Sequence, residues 1–332
     1  MKKLSNPRAF LIGTTLLAAA TACHAGLVIT PNFGSSITGD PNAAAIEAAV
    51  NSAIGTFEGL YSNSVSLAVQ FNYTPAAAGN LLSTYQYYQP VSYASYVSAL
   101  TADSLAHPGN AVLSTALANL SKGNDANGAT SLALADGLYT MLGFGVTGNP
   151  MPVININSNA LFSFGRPTAA GSYDLIGGLE HELDEVLGGG GAGSTLGQTN
   201  SFFTTRFGAL DLYRYSAANT PSHSTSAASS YFSVDGGATS IIGFNQSAGG
   251  DYADFGPACG QNTAGGQYIQ NAFNCTGQDE AYTASTPEAM MLQSIGWNLA
   301  TTGGTSVPEP GSLALTGLAR FGLAAAARRR GR

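Results

Sequence analysis

The chain has 332 residues, 44% of them hydrophobic, and a net charge of −7, which excludes an intrinsically disordered protein. Only 9% of its residues are charged, against about 25% in an ordinary soluble domain, so surface polarity must come from Ser, Thr, Asn, Gln and Gly. The acidic balance, with no basic cluster outside the C-terminal tail, argues against nucleic-acid binding.

Residues 1–25 have the order of a secretory signal peptide. An apolar stretch at 10–20 is too short to span a bilayer, and small residues before Gly26 predict cleavage there. A retained anchor and a lipoprotein cut before Cys23 are less favoured alternatives. We therefore expect an exported protein. The basic residues that open the segment are Lys2, Lys3 and Arg8.

The N-terminal half predicts mixed helices and strands. Asp40 followed by Pro41 is typical of a helix start, and apolar residues then recur at helical spacing as far as Leu60. Residues 65–73 alternate between apolar and polar, which predicts a strand with one buried face. Further helices are predicted over 93–102, 111–120 and 130–142, and further strands over 153–156 and 161–164.

A longer helix is predicted to follow Ser172 and Asp174, whose side chains suit its N-terminal cap. It ends at four consecutive glycines, 188–191, which disfavour helix. The region 194–299 is rich in Gly, Ser and Asn and predicts irregular structure. Within it, short strands are predicted at 231–234 and 241–244, and a closing helix at 288–299.

This longer helix carries a candidate metal-binding motif, His181-Glu182-Leu183-Asp184-Glu185. His181 and Glu185 are four residues apart, so they share a helix face and can bind one ion. Glu182 lies where H-E-x-x-H zinc peptidases carry the glutamate that accepts a proton from water. The alternative is a solvated acidic face of an amphipathic helix. In a chain so poor in charge, such a concentration of acidic residues favours the metal site.

The motif does not determine the third metal ligand. Asp211 is the first candidate, because an aspartate from a later segment can complete such a site, and His223 in a Ser/Thr-rich loop is the second. His107 is remote from the motif. With Glu185 instead of a second histidine, the ligand set is richer in carboxylate than usual. This shifts its preference from zinc towards harder ions such as calcium.

Two other features, a pair of acidic loops and a pair of cysteines, are less specific indications of function. The acidic loops Asp251–Asp254 and Asp235–Gly237 can bind calcium, although turn formation explains both loops better. Cys259 and Cys275 are the two cysteines left after signal cleavage, and in an exported chain they predict one disulfide.

Residues 179–188 resemble the active-site helix of zincin-type metalloproteases. The resemblance covers most of 172–299, while the N-terminal half agrees only in its order of helices and strands. It implies an α+β, zincin- or metzincin-like catalytic domain with a small mixed sheet, an active-site helix, a bound zinc ion and peptide-bond hydrolysis. Glu185 departs from the pattern, and Gly191 stands at the place of a third metzincin histidine. Segments that further resemble a PEP-CTERM-tailed bacterial family of such proteases are Asp211–Ser216, Tyr231–Gly237, Phe244-Asn245 with Gly250-Asp251, and Ile295–Trp297.

The C-terminal end has its own three-part order. Val307-Pro308-Glu309-Pro310 is followed by an apolar stretch at 312–327 and then by consecutive arginines. This order resembles the PEP-CTERM sorting signal, which implies transient membrane contact and removal by an exosortase. Arg320 departs from the pattern, because an arginine at the centre of a membrane helix costs about 2.5–3.5 kcal/mol.

Together these features predict four segments: a signal peptide at 1–25, a zincin-like domain at 26–300, a linker at 301–306 and a sorting signal at 307–332. The expected function is an exported zinc endopeptidase acting on protein or peptide substrates at the cell envelope, at the cell surface or outside the cell. The alternative is a non-catalytic surface or matrix protein that keeps the scaffold for binding.

Overall fold

The computed structural model describes residues 26–120, 130–226, 230–256 and 267–300. These residues form a mixed α+β structure with eight α-helices and several small sheets, which confirms the predicted α+β class. The predicted signal peptide, linker and sorting tail lie outside the described residues. Within the described part of the chain, no helix combines the length and apolarity needed to cross a membrane.

The helices are α1 (Ser35–Thr38), α2 (Ala43–Leu60), α3 (Tyr93–Ala106), α4 (Ala111–Asn119), α5 (Asp136–Met141), α6 (Leu175–Val186), α7 (Ser201–Thr204) and α8 (Pro287–Ser294). The strands are β1 (Val28–Phe33), β2 (Ser66–Thr74), β3 (Leu82–Tyr85), β4 (Tyr88–Ser92), β5 (Ser131–Ala135), β6 (Val153–Asn157), β7 (Phe162–Ser163), β8 (Tyr173–Asp174), β9 (Arg214–Ala217), β10 (Thr220–Pro221), β11 (Tyr231–Phe232), β12 (Ile242–Gly243), β13 (Gln267–Tyr268) and β14 (Glu280–Ala281).

The largest sheet of the N-terminal half has the strand order β1-β2-β6-β3. β1, β2 and β6 are parallel, whereas β3 pairs antiparallel with β6 and forms one edge of the sheet. The predicted strands at 65–73 and 153–156 are confirmed as β2 and β6. In β2 the alternating pattern places Val69 and Phe71 in the core.

Helix α6 packs against α2 and also contacts the edge strand β3. The helix predicted after Pro41 is confirmed as α2, with Ile46 and Phe57 fully buried on its apolar face. It begins two residues later than expected, because the Asp40 carboxylate accepts a hydrogen bond from the backbone N–H of Asn42 in a preceding turn.

The prediction of a helix over 130–142 is wrong in its first half. That segment forms β5 (Ser131–Ala135), which pairs antiparallel with β4, and only then the short α5. Leu132 to Ala135 are all buried, so this strand has no polar face. Leucine and alanine favour helix in isolation, but pairing and burial on both faces override that preference here.

The C-terminal segment returns to the N-terminal half. Trp297 is fully buried, donates its indole N–H to the carbonyl of Leu187 and packs edge-on against Tyr61. Leu299 forms a β-bridge with Tyr61.

The predicted closing helix is confirmed as α8, although it ends at Ser294. The predicted disulfide stays a prediction, since Cys259 lies outside the described residues.

Two leucines of α3 test how far this core extends. Leu100 is fully buried, while Leu105 on the same helix is 79% exposed. We expect Leu100→Ala to lower the free energy of unfolding by about 2–5 kcal/mol through lost burial and a cavity. The matched control Leu105→Ala should change it by less than about 0.5 kcal/mol. Urea unfolding of both variants checks this, and equal losses would contradict the packing of α3 described above.

Candidate metal centre

The motif helix α6 is buried along nearly its whole length. Its N-terminus is capped by Asp174, whose carboxylate accepts a hydrogen bond from the backbone N–H of Ile176. It ends before Gly188, whose φ of 91° is in the left-handed region that glycine tolerates. The alternative of a solvated acidic face is wrong, because all four carboxylates are at most 8% exposed. They are Glu180, Glu182, Asp184 and Glu185.

Two of these carboxylates have structural partners on other elements. Glu180 accepts hydrogen bonds from the Arg166 guanidinium at 3.0 Å and from the Thr56 hydroxyl at 2.7 Å. Asp184 accepts one from the Tyr282 hydroxyl at 3.3 Å. A buried carboxylate needs such partners, because an isolated charge is strongly disfavoured away from water.

The other two lie beside His181. The Nε2 atom of His181 is 3.8 Å from Glu185 Oε1 and 3.8 Å from Asp254 Oδ2, and ligand atoms of these three residues all lie within 4.8 Å of one another. Asp254 follows β12 in the chain and is itself 3% exposed. The i, i+4 pair of α6 is thus joined by a carboxylate from a distant loop.

Hydrogen bonds outside this group orient its members. His181 Nδ1 lies 2.8 Å from the carbonyl of Ile269, an acceptor only, so Nδ1 carries a proton and, in the neutral imidazole, Nε2 keeps its lone pair. The Gln270 amide donates to Asp254 Oδ1 at 3.1 Å, which leaves Oδ2 facing His181. Such outer contacts are what fix the tautomer and orientation of metal-binding side chains.

The donor set fits a divalent metal ion. Imidazole nitrogen and carboxylate oxygen both bind zinc at about 2.0–2.2 Å, so two ligands of one ion lie at most about 4.4 Å apart. The two separations from His181, 3.8 Å each, satisfy that limit, and the Glu185 and Asp254 oxygens lie within 4.8 Å of each other. Two carboxylates also balance the double positive charge of the ion.

The electrostatics of the group favour a cation. Burial raises the pKa of Asp254 to about 7, although the nearby His181 lowers it in part. Burial, and then repulsion from Glu182 and Asp254, raises the pKa of Glu185 well above its usual range. Burial lowers the pKa of His181, but the negative charges of Asp254 and Glu182 outweigh it and raise the pKa overall. A divalent ion would relieve this crowding of like charges.

Glu182 faces the same space. Its carboxylate accepts a hydrogen bond of 2.6 Å from the hydroxyl of Thr84 on β3. Glu182, His181, Glu185 and Asp254 all line one cavity of about 520 Å³. Burial raises the pKa of Glu182, while His181 and the Thr84 hydroxyl lower it. The cavity therefore contains both the candidate ligands and a carboxylate that can accept a proton.

The structure does not bring Asp211 to this group. The Asp211 carboxylate accepts hydrogen bonds from the backbone N–H groups of Thr195 and Gly208, at 2.9 Å and 2.8 Å, and from the Ser194 hydroxyl. These bonds occupy its oxygens and link two loops. The carboxylate that lies beside His181 is that of Asp254, not that of Asp211.

Neither of the other two described histidines, His223 and His107, joins the group. His223 packs on the Phe207 ring at a centroid distance of 5.0 Å, and burial lowers its pKa. His107 is partly exposed and hydrogen-bonds to Asp103.

The sequence did not indicate Asp254 as a candidate ligand or Thr84 as the partner of Glu182. Asp254 stood out only as part of an acidic loop, where turn formation explained it. Thr84 lies on a strand that no sequence pattern predicted. In comparisons with protein-family models, with curated proteins and with solved structures, the chain matched none.

Glu288 provides a test of the electrostatics next to the site. It is fully buried on α8, and burial raises its pKa from 4.5 to about 7 although nearby hydrogen bonds lower it. The unfolded chain releases this proton near pH 4.5, whereas the folded protein holds it until about pH 7. The folded state thus binds more protons between these values, and stability falls as the pH rises through them.

We expect the protein in EDTA to lose stability between pH 5 and pH 8, and Glu288→Gln, which mimics the protonated acid, to lose less. Urea unfolding at several pH values measures this slope. The control Glu47→Gln removes a carboxylate of α2 that is not buried and should keep the wild-type slope. An unchanged slope in the Glu288 variant would contradict the assignment.

Proposed function

We propose that the protein is a metal-dependent endopeptidase in which His181, Glu185 and Asp254 hold the ion. The observation that carries this proposal is the convergence of the three ligand atoms within 4.8 Å of one another, in the cavity that Glu182 also lines. A metal site needs the ligands, and hydrolysis needs a proton acceptor beside them. Zinc is the ion that the motif favours, while the two carboxylates also suit harder ions such as calcium.

Each residue has a role that follows from its contacts. His181 presents Nε2 because Ile269 fixes the other ring nitrogen. When bound, the ion would supply Lewis acidity and lower the pKa of water. Glu182 accepts the proton from the attacking water, and its partly raised pKa brings its basicity closer to neutral pH. Thr84 fixes the position of the Glu182 carboxylate.

The edge strand β3 supports a polypeptide as the substrate. Residues 81–84 line the cavity, and β3 pairs with β6 on one side while no other described strand pairs with its outer side. An extended peptide can add to such an edge through backbone hydrogen bonds, which places its bonds along the cavity. The substrate would then lie beside Glu182 and the ligand group.

We propose a zincin-like fold for residues 26–300; the proposal is supported by the sequence resemblance of residues 179–188 and by the position of α6 beside a mixed sheet with an antiparallel edge strand. The signal peptide and the sorting tail would place the enzyme outside the cytoplasm, where an exosortase would process it. The alternative, a non-catalytic binding protein, requires no third ligand beside His181. The third candidate ligand Asp254, together with the proton acceptor Glu182 in the same cavity, therefore favours hydrolysis over that alternative.

Metal content tests the ligand set directly. We expect the purified full-length protein to contain about one zinc or similar divalent ion per chain, as measured by elemental analysis. His181→Ala and Asp254→Asn should each remove most of it, since each takes away one of three ligands. Asp211→Asn is the decisive comparison, because it should keep the metal even if it lowers stability. Metal loss in the Asp211 variant with retention in the Asp254 variant would overturn the proposed ligand set.

The role of Glu182 is tested by an isosteric change. Glu182→Gln should retain the metal but lower kcat on a casein or peptide substrate by at least about 100-fold, because a general base contributes about 10²–10⁴-fold. Glu185→Gln should instead lose metal and activity together. Peptidase assays combined with elemental analysis separate the two, and a Glu182 variant with wild-type activity would eliminate this mechanism.

A further inference from the structure

The cavity contains one carboxylate that the proposed chemistry does not use. Asp251 lines it, yet it is not one of the three ligands, whose atoms lie within 4.8 Å of one another. Its side chain is exposed, and among the described residues its carboxylate forms no hydrogen bond and no ion pair within 4.0 Å. It is therefore a negative charge at the solvent side of the cavity that a ligand can reach.

The position of Asp251 is fixed by its neighbours. A Cβ atom built on Gly191 would lie 2.6 Å from Asp251 Cβ and 2.5 Å from Glu185 Oε1, so Asp251 packs beside the ligand group. The Asn245 side chain donates hydrogen bonds to the carbonyls of Ser247 and Asp251, which closes the loop that carries Asp251. The carboxylate is thus held by a defined loop.

Among the described residues, no lysine or arginine neutralises Asp251, and the imidazole of His181 is the basic group that shares its cavity. The described residues contain only three arginines and no lysine, and none of the three lines the cavity. Arg166 pairs with Asp174 and Glu180, as its distances of 2.7 Å and 3.0 Å show. The other two donate to backbone carbonyls and lie over aromatic rings; they are Arg206 and Arg214.

The charge balance of the cavity leaves Asp251 free for a substrate. A bound divalent ion would balance Glu185 and Asp254, and Glu182 is committed to Thr84 and to proton transfer.

Next to Asp251 the cavity has an apolar wall. Phe273 lines the cavity and is 41% exposed, and its Cζ lies 3.3 Å from where a Cβ on Gly250 would be. A long basic side chain matches both, since its alkyl part packs on an aromatic ring while its charge stays at the carboxylate.

From this arrangement we infer that Asp251 is a specificity-determining residue that selects peptides with a lysine or arginine close to the scissile bond. The inference rests on the proposed peptidase function. Asp251 forms an ion pair with the substrate side chain, and Phe273 contacts the alkyl part of that side chain.

The test compares matched peptides that differ only in one residue, arginine against leucine, at each position around the cleaved bond. For the full-length wild-type protein we expect kcat/KM to be at least about tenfold higher for the arginine peptide at one of these positions, which is the scale of one partly desolvated charge pair. Asp251→Asn should reduce this ratio towards one, and Asp251→Lys should invert it in favour of a glutamate peptide. The control Glu47→Gln removes the same charge away from the cavity and should leave the ratio unchanged.

Each outcome decides a different point. Metal content measured on the same samples should be equal in wild type and Asp251→Asn; a loss of metal would identify Asp251 as a ligand and overturn its role in specificity. Equal kcat/KM for arginine and leucine peptides in an active, metal-loaded wild type would also overturn it, while the peptidase proposal would stand. Absence of both metal and hydrolysis in the wild type would instead refute the proposed function itself.

Discussion

The burial of four carboxylates on α6 is the constraint on which the rest of the structure depends. The chain has few charges, yet it places these four on a helix that is almost fully enclosed. A buried charge is stable only with partners, and three of these carboxylates take them from other parts of the chain. Glu180 has Arg166, Glu182 has Thr84, and Asp184 has Tyr282. Glu185 is the exception, since its nearest ionisable partner is His181 on the same helix, at 3.8 Å.

The same constraint explains the glycines that follow α6. As a sequence pattern they indicated only where the helix ends. In the structure the chain turns back over the polar side chains that it has just passed. A Cβ on Gly190 would overlap the Gln270 amide, and a Cβ on Gly191 would lie 2.5 Å from Glu185 Oε1. Larger residues there would displace Glu185 or Gln270, and Gln270 in turn orients Asp254. These glycines therefore give Glu185 and Gln270 the space in which the three candidate ligands come together.

The parts of the fold that sequence predicted are those set by local periodicity. The helices α2 and α6 and the strands β2 and β6 each have a regular apolar pattern, and the i, i+4 relation of His181 and Glu185 follows from helix geometry alone. What sequence missed depends on contacts between distant segments. β5 was predicted as helix because only its pairing with β4 makes it a strand. Asp254 is 69 residues beyond Glu185 in numbering (254 − 185), and nothing local distinguishes it from a turn aspartate.

Metal binding and stability are linked in such a site. In the metal-free protein, burial and mutual repulsion favour the protonated forms of Glu185 and Asp254. A divalent ion binds the deprotonated forms, so its uptake releases protons and its affinity rises with pH. Binding also stabilises the folded state alone, because the ligands come together only on folding. With one imidazole and two carboxylates as its ligands, an ion bound here would therefore couple the stability of the fold to the charge of the cavity.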